Sequence, residues 1–333
     1  MSKISTLQAA ISSLIPDGSS IALGLQMEQM IPFAAGHEIM RQRKKDLRLI
    51  GPISDVLFDQ IIGSDPVNDA RVRDVVAAWV GNVMMGSAYN FRRAVETSPR
   101  TQYELRRAAK NREANSAVDT TPPEGFRIFN MTNFSVSLGL QAAAMGVPFL
   151  PTRTAMGSDI PKNNHFYYQI LSPFQPQETL LAVRGIQPDV AIVHVQRADE
   201  DGNAHCWGNF GVMIEAVRAA KHVIVVAEEV VAPEVITSDP NRTVIPGFLV
   251  SAVVECRYGA HPSPVQGCYK RDDAFFRQYH EQTKTKDDTE KWLQRWVYGV
   301  RDRAEYVNQL GGCRVEELGV KQHAYAAPTD YGY

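Results

Sequence analysis

The chain has 333 residues, 44% of them hydrophobic, with 35 Lys and Arg against 37 Asp and Glu. That length can bury a sizeable core as one large α/β domain or two smaller ones, and the near-cancelled charge offers no global field for nucleic acid or an anionic membrane. Cys206, Cys256, Cys268 and Cys313 are scattered with no C-x-x-C spacing, which argues against a disulfide scaffold or a structural zinc site and suits a reducing compartment.

The opening MSKISTLQAAISSLIPDG mixes Ser, Gln and Lys among its apolar residues, so it lacks the continuous apolar core of a signal peptide. The expectation is a soluble cytoplasmic protein. Residues 5–15 fit a short amphipathic helix stopped by Pro16-Asp17-Gly18. A small apolar strand at 19–25, an irregular loop QMEQMIP and a helix from Phe33 to Arg43 follow, the opening unit of an α/β domain. The pattern recurs, with β-rich stretches at 46–54 and 72–81 and helical ones near 55–63 and 86–97. Residues 99–125 are polar and arginine-rich with a Pro-Pro pair. They read as a surface excursion, helical at YELRRAAKN and mobile after it.

Order resumes with FRIFNM at 126–131 and a helix at 136–146. PDVAIVHV at 188–195, HVIVVAEEVV at 222–231 and FLVSAVVEC at 248–256 are near-continuous apolar runs, as strands buried on both sheet faces require. MIEAVRAAK precedes the second as a helix, and 272–309 reads as two charged helices. The fold class is α/β, an open mixed or parallel sheet flanked by helices. A single domain spans 1–333, its two linked halves sharing one extended sheet.

Four places could carry chemistry. The turn Gly24-Leu25-Gln26-Met27-Glu28-Gln29 follows a strand, where backbone N–H groups and helix N-termini can hold anions. It is not G-x-G-x-x-G, so the dinucleotide fingerprint is absent. Glu28 could serve as nucleophile or base there, although a solvated loop glutamate is the commoner case. The stretch Ala198–His205 carries Asp-Gly-Asn turn chemistry. His194, His205 and Asp199 have no defined ligand spacing, and no metal is expected. Glu228-Glu229 stand at a strand end, where at most one carboxylate can face a given pocket, and an acid that caps a helix or braces a loop is expected ahead of direct chemistry. The turn Tyr258-Gly259-Ala260-His261-Pro262-Ser263 pairs histidine with serine, but G-x-S-x-G occurs nowhere, so a backbone role near a substrate site reads better than a hydrolase.

These fragments, in order, resemble the alpha (A) subunit of a family I coenzyme A transferase of the glutaconate type. The resemblance runs through IPDGSSIALGLQMEQMIPFAAGHEIMRQ, FRRAVE and GLQAAAMGVPFLPTRTAMGSDI. It continues in PDVAIVHVQRADEDGNAHCWG, AAKHVIVVAEEVV, IPGFLVSAVVECRYGAHPS and KWLQRWVYGVRDRAEYVNQLG, covering nearly the whole chain. It implies a beta-subunit partner of related fold in a heterotetramer or larger assembly, and a ping-pong transfer of coenzyme A between an acyl-CoA and a carboxylic acid. Coenzyme A is then a co-substrate, with no permanently bound cofactor.

In that family a glutamate attacks the thioester, giving an acyl–enzyme anhydride and then a glutamyl-CoA thioester. The glutamate sits on the beta subunit in a Ser-Glu-Asn-Gly-type motif that this chain lacks, so no catalytic residue is expected here and the isolated chain should be inactive. By position, the resemblance offers Gly24, Leu25, Gln26, Met27 and Glu28, Gly81-Asn82, Gly157-Ser158 and Gly259-Ala260-His261 as one wall of an interface site that binds the acyl group and supports the oxyanion.

The family's usual Gly-Gly is Gly24-Leu25 here, followed by the acidic, sulfur-rich QMEQM. Leu25, Met27 and Met30 would then suit a larger or more apolar acyl group than glutaconate. Hydrolase or lyase chemistry on the same fold, and a non-catalytic CoA-binding subunit, are the alternatives.

Overall fold

A computed structural model describes residues 2–64, 71–110, 123–162 and 164–320. Seven parallel strands form its centre: β1 (Ser20–Ala22), β2 (Leu47–Ile53), β3 (Val72–Trp79), β4 (Arg127–Asn130), β5 (Val190–Ala198), β6 (His222–Val230) and β7 (Ala252–Glu255). Their pairing runs β7-β6-β5-β1-β2-β3-β4, every neighbour parallel. The chain therefore starts mid-sheet, winds out through β2, β3 and β4, returns beside β1 as β5, and winds out the other way. The reversal falls between β1 and β5. In open α/β sheets the carboxyl ends of the strands at such a reversal flank the ligand crevice.

Strand alternation builds two cores. Ile21, Leu49, Val75, Ile192, Ile224 and Val254 face one side, where Phe33, Leu57, Phe275, Trp292 and Trp296 cover them. Ala22, Ile50, Val76, Val193, Val225 and Val253 face the other, under Leu140, Met213 and Val183. Both faces being covered is why these strands read as near-continuous apolar runs rather than alternating ones.

Several boundaries differ from the sequence reading. Between Phe248 and Cys256 only Ala252–Glu255 is strand, after a short 3-10 turn at Gly247–Leu249. The region 272–309 holds three α-helices, Asp273–Gln282, Lys286–Leu293 and Arg303–Leu310, with a π-helical turn after the second. The polar excursion begins as a helix, Pro99–Lys110. The mobility expected for its remainder falls largely at 111–122, outside the described residues. A three-stranded antiparallel sheet, Phe149–Thr152, Tyr167–Leu171 and Thr179–Arg184, is not apparent in the sequence. Its lone Pro-rich and aromatic segments lack the β-branched run that betrays a central strand. No helix among the described residues is long and apolar enough to cross a membrane.

Candidate functional site

At the carboxyl end of β1 the backbone turns through Gly24 at φ +68°, and a Cβ there would lie 2.8 Å from the Ser54 backbone. Only glycine allows the β1 and β2 turns to approach so closely. Leu25 then folds inward, its carbonyl accepting from Val212 N at 2.8 Å. Gln26 is buried, its amide directed at Cys206 Sγ and Met30 Sδ. Met27 and Met30 both adopt positive φ, 62° and 49°. Non-glycine residues there carry a strain of about 1–3 kcal/mol each and persist only where surrounding contacts dictate the backbone.

Those contacts come from the turn after β7. Ser263 Oγ donates to the Glu28 carbonyl at 2.7 Å, Met30 N donates to Pro264 O at 3.0 Å, and Ala34 N donates to Gly259 O at 2.8 Å. The first and last sequence candidates, 24–28 and 259–261, thus belong to one wall.

The turn itself is braced from below. Glu228, buried at the carboxyl end of β6, accepts from Tyr258 N and Tyr269 OH at 2.8 Å each and pairs with His194 Nε2 at 2.7 Å. Burial alone would raise this carboxyl, but the bonds from His194, Tyr258 and Tyr269 outweigh it and hold it below its ordinary range. Glu229 points out to solvent, 3.6 Å from Arg197. One acid of the pair braces a loop and the other is solvated, as strand alternation requires. His261 is fully buried between Tyr306 OH and Asp272, and burial lowers it to about 4 against the opposing bond from Asp272. It therefore holds the turn as a neutral imidazole. Asp199 accepts from Asp201 N, Asn203 N and the Asn203 amide, closing its own turn.

The other two candidates stand apart. Gly81-Asn82 open a two-strand hairpin after β3, where buried Asn82 Oδ1 accepts from Met84 N and Met85 N. Gly157-Ser158 line a pocket of about 430 Å3 with Met156, Lys162, Tyr167 and Gln169, none of them from the turns after β1, β2 or β7. A larger cavity, about 890 Å3, opens at the amino ends of the strands beside Asp46, Arg73 and Arg127. Those two arginines already pair with Asp46, Asp74 and Glu104.

Burial changes what the wall can offer. Leu25, Gln26, Ala260 and His261 are all at most 2% exposed, and the amides of Gly259, Ala260 and His261 already donate to Cys256 O, Tyr269 OH and Tyr258 O, so the turn after β7 supports its neighbours and offers no free donor of its own. Of the three residues expected to suit an apolar acyl group, Leu25 and Met30 pack in the core that includes Ala22 and Val193, while Met27 is half-buried.

Two residues missed by the sequence reading join the wall. Asp55, two residues after β2, is fully buried at φ 49°, and Arg271 donates to its Oδ2 at 2.9 Å while also bonding Asp273 at 3.0 Å and approaching Glu28 at 3.9 Å. Burial pushes the Asp55 carboxyl up to about 6 despite Arg271, with Glu28 adding to the rise. An acid shortly after an apolar strand was a usable signal for Asp55. Nothing local marked Arg271, which arrives from 216 residues further along.

A doubly wound parallel sheet with glycine-tightened turns at its strand ends defines a class of α/β proteins. Comparison with known proteins narrows it. Residues 125–256 match the coenzyme A transferase family. The chain is 33% identical to the A-type subunit of 3-oxoadipate CoA-transferase from Pseudomonas knackmussii, over 92% of its length and 97% of that protein's. It is 32% identical to the A-type subunit of glutaconate CoA-transferase from Acidaminococcus fermentans, over 96% and 95% respectively. The crystal structure of glutaconate coenzyme A-transferase from that organism superposes with a TM-score of 0.81 at 31% identity, covering 97% of each chain. The chain belongs to the coenzyme A transferase family, as a transferase subunit of the A type.

Proposed function

We propose that this chain, with a B-type partner subunit, moves coenzyme A between an acyl-CoA and a free carboxylic acid. The observation that carries the reading is likeness to the A-type chains of two CoA-transferases along more than nine-tenths of the sequence. The wall formed by the turns after β1, β2 and β7 is this chain's contribution to an interface site. The partner supplies the glutamate that attacks the thioester, passing through an acyl anhydride to a glutamyl-CoA thioester. Splitting the exchange this way replaces one poor bimolecular step by two covalent ones. Backbone groups of the Gly24 turn support the developing oxyanion, and the turn after β7, kept in place by the Glu228–His194–Tyr269 brace, holds that turn through Ser263. The two relatives are, by their names, transferases for 3-oxoadipate and glutaconate, so CoA esters of short acids with and without a second carboxylate are the substrates to try first.

Co-expression with the B-type partner, followed by an exchange assay between an acyl-CoA and labelled free acid, tests the reading. Exchange that needs both chains and an acceptor acid supports it. Release of free CoA without acceptor dependence overturns it in favour of hydrolysis.

A further inference from the structure

Glu28, Asp55 and Asp273 surround a single guanidinium, Arg271. Arg271 lies flat over Phe276, its carbon 3.9 Å from the ring centroid, and its short bonds go to Asp55 and Asp273. Glu28 sits further off, at 3.9 Å, and its side chain keeps 44% of its surface in contact with solvent. Its carboxylate is therefore incompletely neutralised, because the cation beside it is already engaged twice.

Two other arginines near this edge are engaged elsewhere. Arg197 faces Glu229, and Arg303 donates to the carbonyls of Tyr258 and His261. Asp55 is itself fully buried, and neither its Oδ1 nor Arg271 Nη1 has a hydrogen-bond partner among the described residues. The backbone that carries Glu28 is fixed by the Ser263 bond to its carbonyl and by left-handed residues at Met27 and Met30. The carboxylate is thus presented from a defined position at the carboxyl end of β1, not from a wandering loop.

We propose that Glu28 sets acyl specificity at the site proposed above, disfavouring chains that end in a second carboxylate and favouring chains that end in a neutral group. The inference rests on the placement of the acyl site at this wall. Apolar lining by Leu25 and Met30 plays no part in it, since both are buried; the selection is electrostatic and comes from one half-exposed side chain.

The test uses the complex of this chain with its B-type partner. Calorimetric binding is measured for hexanoyl-CoA and adipyl-CoA, which share a chain length and differ in the terminal carboxylate. Acceptor kinetics with hexanoate and adipate run in parallel. In E28Q the adipyl-to-hexanoyl affinity ratio should rise about five- to ten-fold, the size of one partly screened contact between unit charges. E28K should raise it further. A ratio unchanged within about two-fold in both variants overturns the proposal, since one removed or reversed charge must then lie out of reach. So does R271M if it selectively loses adipyl-CoA, because Arg271 would then be a carboxylate clamp. A complex that shows the expected ratio shift yet releases free CoA without an acceptor rejects the transferase reading and leaves this inference standing.

Discussion

Arg271 Nη2 donates to Asp55 Oδ2 at 2.9 Å, tying the turn after β2 to the segment before the helix Asp273–Gln282. The pair sets a pH dependence whose sign can be worked out. Asp55 titrates near 6 when folded against an ordinary 3.8, so the folded chain holds this proton more tightly than the unfolded one. The contribution of Asp55 to stability is fully present below the unfolded value and is lost as pH rises through the folded one. Asp55→Asn cannot titrate. Between pH 4 and pH 6 the stability of the Asn variant relative to the parent should rise by about 2–3 kcal/mol and then level off. Urea unfolding at a series of pH values measures it, and a flat difference would place the titration elsewhere.

Gly24→Ala tests the approach of the first two strand ends. The added methyl would sit 2.8 Å from Ser54 Cα on a backbone at φ +68°. Strain and overpacking act together there, so a stability loss of about 2–4 kcal/mol is expected. Gly86→Ala is the control, since it too has positive φ but its methyl meets nothing within 4 Å. Equal losses at the two positions would mean that backbone strain, and not the contact with Ser54, is what Gly24 avoids.

The parallel sheet was legible because its strands are buried on both faces, and continuous apolar runs as short as VAIVHV and HVIVVA fit a doubly covered strand better than a half-exposed one. The turns at Gly24 and Tyr258–Ser263 were legible too, since glycine after an apolar run marks a strand end. What joins them was not. The bond from Ser263 Oγ to the Glu28 carbonyl spans 235 residues, and Arg271 reaches Asp55 across 216. Neither leaves a periodicity or spacing to read. The burial of Leu25 was hidden for a related reason: in a strand-end turn no period of two or 3.6 says which way a side chain faces.

Glu228→Gln probes the brace beneath the second turn. The substitution keeps the shape but gives up the charge that His194, Tyr258 N and Tyr269 OH all address. A stability loss of about 1–3 kcal/mol at neutral pH is expected for weakening a buried, hydrogen-bonded charge. The Glu228 carboxyl is held below its ordinary range, so the parent's advantage should be present above the unfolded carboxylate value and shrink as pH falls through the folded one. Hydrogen exchange offers a local readout, because the Tyr258 amide donates to this carboxylate directly. Faster exchange at Tyr258 with unchanged exchange in β2 is the expected pattern.

Leu25 and Met27 separate core from site within one turn. Leu25 is 2% exposed and packs with Ala22, Val193 and Val212 in the core on its side of the sheet. Met27 is half-buried, with no place in either core. Leu25→Ala should therefore cost about 2–5 kcal/mol of stability through the cavity it leaves. Met27→Ala should cost less than about 1 kcal/mol, since it removes little packing and alanine tolerates the αL backbone no better than methionine does. If the turn after β1 lines the acyl site, Met27→Ala should still raise KM for the acyl-CoA in the assembled complex while unfolding stays close to the parent's. A Met27 variant with parental KM for every acyl-CoA tried would remove this turn from the acyl site and leave it a structural strand end.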